Sequence, residues 1–121
     1  PAAPPIPAPV SATLAQAIAA LGRDADSGET AFRSALAELG GAARAGRGAA
    51  TGSEAWAQGQ SALSRIIIAR SPTTLALTEL DRLALTEADG ANGAVPAELA
   101  AQQARVAALV VAQDRVLAGL E

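Results

Sequence analysis

Alanine fills 34 of the 121 positions of this chain, and only Phe32 and Trp56 are aromatic. Alanine is the strongest helix former and loses no side-chain entropy, whereas strands draw on the β-branched and aromatic side chains that are scarce here. Such a chain is confined to the all-α class. Its larger apolar side chains are 14 Leu, 6 Val and 5 Ile beside the two aromatics. At roughly 1.5–3 kcal/mol for each one fully buried, they support a small core with little surplus. The expected architecture is a small helical bundle of about four to five helices with a long C-terminal helix.

The alphabet also narrows the chemistry. There is no His, Cys, Lys, Tyr or Met. His is the usual general base near neutral pH, and Cys, Lys and Tyr supply most other nucleophiles and proton donors. Seven serines offer hydroxyls with no customary base to deprotonate them, so the chain is not expected to be an enzyme or to carry a cofactor or metal. All nine cations are Arg against 12 acidic residues, a net charge of −3. That balance is poor footing for nucleic acid, which needs clustered cations and usually stacking aromatics.

No stretch reaches the roughly 20 apolar residues needed to cross a bilayer, so membrane contact is expected only through a segment outside this chain. The sequence starts at Pro1 and lacks Met, which leads us to expect a processed or truncated product. A removed export signal would place it in the periplasm or outside the cell, with the cytoplasm as the alternative.

Residues 1–10, PAAPPIPAPV, hold five of the seven prolines and suit an extended polyproline stem or spacer. Residues 11–121 are expected to form one helical domain. Within it, 11–39 reads as a helix pair, with Leu14, Ile18 and Leu21 on the first helix. Gly22 stops that helix and Arg23–Gly28 makes the turn. Phe32, Leu36 and Leu39 line the second helix, with Glu29 and Arg33 spaced for an i,i+4 ion pair. Residues 40–52, with five glycines and no large apolar side chain, read as a mobile linker.

The remainder, 53–121, reads as a three-helix part. Thr51 to Glu54 has capping-box spacing ahead of Trp56, Leu63, Ile66 and Ile67. Arg70-Ser71-Pro72 is a break, with Ser71 as the expected cap of the next helix; a hairpin and a kinked single helix both fit. Leu77, Leu80 and Leu83 cover one side of that helix, while Leu75 and Leu85 project elsewhere.

The last helix, from Pro96 to about Gly119, is the best patterned. Leu99, Gln102, Val106, Leu109, Gln113, Val116 and Leu120 alternate at three and four, the seam of a helix packed lengthwise on another. Ala108 and Ala112 lie on its small-residue side, where a second helix can approach closely. Leu99, Val106, Leu109, Val116 and Leu120, with Ala108 and Ala112, are therefore the candidate interaction surface. Gln102 and Gln113 would fix register or partner choice; equally, a seam rotated by one position would place Gln103 and Val110 or Leu117 there instead. Trp56 is the expected core anchor.

Two acidic clusters invite a metal reading and do not sustain it. Glu87 to Glu98 has an acid at each end, but its fifth position is Ala91 and its glycine falls at the seventh rather than the sixth. Asp24, Asp26 and Glu29 are better explained as charge ahead of a helix N-terminus.

The function expected is that of a non-catalytic helical interaction or scaffold protein, exported and tethered through its stem, packing on a protein partner or on its own copies. The alternative is a small-molecule-binding or sensory bundle.

Overall fold

A computed structural model describes residues 10–90 and 93–120; the stem predicted over 1–9 lies outside them. Of the described residues 86% are helical, and no strand occurs among them. Four helical segments follow one another: α1 (Ala12–Arg47), α2 (Glu54–Ala69), α3 (Ser71–Ala88) and α4 (Ala97–Leu120).

The expected N-terminal helix pair is one helix. Ser11 caps α1 by accepting from the Leu14 N–H at 3.1 Å, and the helix then runs 36 residues, about 54 Å, through Gly22 and the expected turn at 23–28. The acids Asp24, Asp26 and Glu29 thus sit in the middle of a helix, not ahead of its start. The i,i+4 pair does form, with Arg33 Nε 2.5 Å from Glu29 Oε1.

The segment read as a linker is also largely helix. Residues 40–47 complete α1, with Gly40, Ala43 and Gly46 buried, and only 48–53 connect to α2. Helical glycine costs about 1 kcal/mol relative to alanine, and here tertiary packing offsets it. Gly46 meets Gly59 of α2 backbone to backbone, with no room for a Cβ on either side. Gly28 admits α3 in the same way, since a Cβ there would lie 2.6 Å from Thr73 Oγ1.

Gly46 faces Gly59 while Gly28 faces Thr73, so α2 and α3 run end to end, antiparallel to α1. They are joined through Arg70 alone, whose dihedrals (φ −81°, ψ −13°) stay in the right-handed helical region. This is the kinked-helix option and not the hairpin. Ser71 lies inside α3, which starts without a side-chain cap and has Pro72 in its first turn. At α2 the cap is Ser53, accepting from Trp56 N–H at 3.2 Å, in place of the expected Thr51. α4 lies beside both rods and runs parallel to α1: Gln102 bonds Ile18, Gln113 bonds Glu29, and Arg47 donates to the Gly119 carbonyl at 3.0 Å. That last bond satisfies a terminal carbonyl of α4 with a cation at its negative end.

Two apolar clusters hold the three rods together. One gathers Ile18, Ala25, Leu80, Leu99 and Val106 from α1, α3 and α4; the other gathers Phe32, Ala62, Ile66, Leu117 and Leu120 from α1, α2 and α4. Val10 packs on the first cluster, so the described end of the Pro-rich segment is held against the domain.

Candidate interaction surfaces

The face of α4 expected to meet a partner is turned into the protein's own core. Leu99, Val106 and Leu120 are fully buried, and Leu109 and Val116 pack at the edges of the two clusters. The 3–4 spacing identified a real seam, but its occupants are the other helices of the same chain. Leu117 joins it, as does Gln113. Ala108 and Ala112 are exposed on the opposite side.

Trp56 is partly exposed and belongs to neither cluster. It stands in the first turn of α2, at the far end of the rod. The expected anchoring role falls to Phe32, which projects from mid-α1 and is 2% exposed.

Gln113 is 1% exposed and sits between the two apolar clusters. Its Nε2 donates to Glu29 Oε2 at 2.7 Å and to Thr73 Oγ1 at 3.1 Å, and the Thr73 hydroxyl donates to the Ala25 carbonyl. One side chain from α4 thereby registers α1 and α3 at the level where the second rod kinks. Gln113 Oε1 has no protein partner. Gln102 plays a similar part nearer the first cluster. It donates to the Ile18 carbonyl at 3.2 Å and accepts from Arg105 Nε at 2.8 Å. Arg105 in turn reaches Asp26 at 2.7 Å and the Gly22 carbonyl at 3.2 Å. The seam glutamines therefore fix register, as their spacing suggested, between helices of one chain.

Among the described residues no three His, Cys, Asp or Glu side chains converge as a metal site would require. Asp26 and Glu29 are engaged with Arg105 and with Arg33 and Gln113, respectively. The described residues form open surface hollows, two of which are large enough to consider. One, of about 260 Å³, lies between Ile67, Leu117 and Ala118 with the Arg70–Asp114 ion pair across it. The other, of about 320 Å³, lies between Ile18, Ala101 and Gln102. Both are open clefts, and a small molecule in either would keep much of its surface in water, unlike the usual enclosed ligand site.

The large apolar side chains that the fold leaves outward are aliphatic. Ile68, Leu75 and Leu85 on the second rod are 68%, 64% and 68% exposed, with Ile67 and Val111 less so. Leu75 and Leu85 were expected to point away from the main face of α3, and they do; Ile68 joins them from α2. Among the described residues no helix is long and apolar enough to cross a membrane. No protein-family model, curated protein or solved structure matches this chain.

Proposed function

We propose that this protein is a non-catalytic helical interaction or structural module, working by packing a helix face against a protein partner or another copy of itself. The observation that carries the reading is the trio Ile68, Leu75 and Leu85. Isolated exposed aliphatics are common, but three large ones on a single two-segment rod, in a chain with so few large apolar residues, form a patch that association would cover. The extended composition of residues 1–10 suits a spacer that holds the domain away from its attachment, and an exported, tethered placement goes with that role.

Native mass spectrometry of the purified chain tests the reading. A protein assembly of defined stoichiometry is the expected result. A chain that is monomeric at high concentration, retains no protein partner and releases a small apolar molecule on denaturation would replace it with the ligand-binding bundle.

A further inference from the structure

The outward face of the α2–α3 rod carries a run that the internal packing does not use. Ile68, Ser71, Leu75, Thr78, Arg82 and Leu85 follow one another at spacings of three, four, three, four and three, and all six are exposed. Arg70 keeps right-handed dihedrals, and the members of the stripe stay exposed on both sides of it. Alternation of three and four is the pattern of a seam lying lengthwise against another helix.

The run also maps onto itself when reversed. Consider an antiparallel pair whose two-fold axis passes between Leu75 and Thr78. Ile68 then faces Leu85 of the second copy, Ser71 faces Arg82, and Leu75 lies across from Thr78 beside its own symmetry mate. Moving the axis to the gap between Ser71 and Leu75 sets Ile68 against Thr78, and moving it to the gap between Thr78 and Arg82 carries Ile68 past the end of α3 at Ala88. Charge favours the same arrangement. Arg65 and Asp89, near the two ends of the stripe, are exposed and make no ion pair among the described residues. Antiparallel pairing brings Arg65 of each copy to Asp89 of the other, twice. Parallel pairing would instead set Arg82 against Arg82 and Asp89 against Asp89.

We infer that the outer face of α2–α3 is a self-association surface, covered by the same face of a second copy running antiparallel in a two-fold dimer. The inference rests on the helical-interaction reading above and supplies its partner and surface. Such an isologous contact closes after two copies, because each stripe is consumed by the other.

The absence of cysteine makes the register directly testable. A chain carrying Ser71→Cys together with Arg82→Cys should form intermolecular disulfides in high yield, since the two positions face each other across the pair. Ser71→Cys alone should not, because its symmetry mate lies about 16 Å away along the axis. Light scattering should give a dimer whose dissociation constant rises at least about tenfold in Leu75→Glu and in Ile68→Glu, with helicity unchanged at these exposed sites. Efficient linkage through Ser71→Cys alone would overturn the antiparallel register. A dimer lost in Ala108→Glu and kept in Leu75→Glu would overturn the surface while leaving the helical-interaction reading intact. A wild-type chain that stays monomeric to millimolar concentration overturns self-association. The broader reading falls with it only if no other protein binds.

Discussion

Replacing Gly46 by Ala should destabilise the protein, and replacing Gly41 by Ala, five positions earlier on the same helix, should stabilise it. At position 41 an added Cβ meets nothing within 4 Å, so the change acts through helix propensity alone and is worth up to about 1 kcal/mol in favour of folding. At position 46 the same propensity gain is present. The new Cβ, however, would overlap the Gly59 Cα and lie 3.0 Å from the Ala55 carbonyl oxygen. Both obstacles are backbone, so α1 and α2 must part. Forcing one extra carbon into a closed contact costs typically 1–3 kcal/mol, and with backbone on both sides the upper part of that range applies, leaving a net loss of up to about 2 kcal/mol. Thermal unfolding followed by circular dichroism should therefore move the midpoint up by a few degrees for Gly41→Ala and down by several for Gly46→Ala. Equal stabilisation by both changes would refute the packing of α1 on α2 and restore residues 40–52 as an unpacked linker.

Three further substitutions separate the structure from its simpler alternatives. Phe32→Ala should cost about 3–5 kcal/mol in urea unfolding, and Trp56→Ala less than half as much, because only Phe32 fills a core cluster. Ser53→Ala should cost about 1 kcal/mol through loss of the α2 cap, while Thr51→Ala stays within a few tenths. Gln113→Leu removes both bonds that Nε2 donates and leaves Glu29 Oε2 without that donor, so it should cost about 1–3 kcal/mol, and Thr73→Val, which leaves the Gln113 amide short of an acceptor, about 1–2 kcal/mol.

Local sequence made the class and the α4 seam readable, because both depend on signals carried within a few turns of helix. Leu99, Val106 and Leu120 show a 3–4 spacing that survives whatever packs on it. The occupant of that seam was not readable, since nothing in α4 tells an internal helix from a foreign one. The glycines misled for the same reason. Gly22, Gly28 and Gly46 weaken a helix judged alone, and what sustains it lies in Gln102, Thr73 and Gly59, 80, 45 and 13 positions away along the chain. Helix ends were readable where the local signal was strong, as at Pro96 ahead of α4. At Arg70 the chain kinks without a cap, so Ser71 and Pro72 signalled a break that the backbone barely makes. Trp56 was assigned to the core by size, whereas it stands half-buried in the first turn of α2 and joins neither apolar cluster. The outer stripe on α2–α3 lay in plain view as a 3–4 run; its exposed state required knowing that Leu80 and Ala84 take the inner face.

Sedimentation equilibrium of the wild-type chain from micromolar to millimolar concentration, beside an Ile68→Glu/Leu75→Glu double variant, tests the central claim most directly. The wild type should approach twice the chain mass as concentration rises, and the double variant should remain a monomer of unchanged helicity. A wild type that remains monomeric throughout, or a double variant that assembles as well as the wild type, would contradict the assignment of the α2–α3 outer face as the surface through which this protein works.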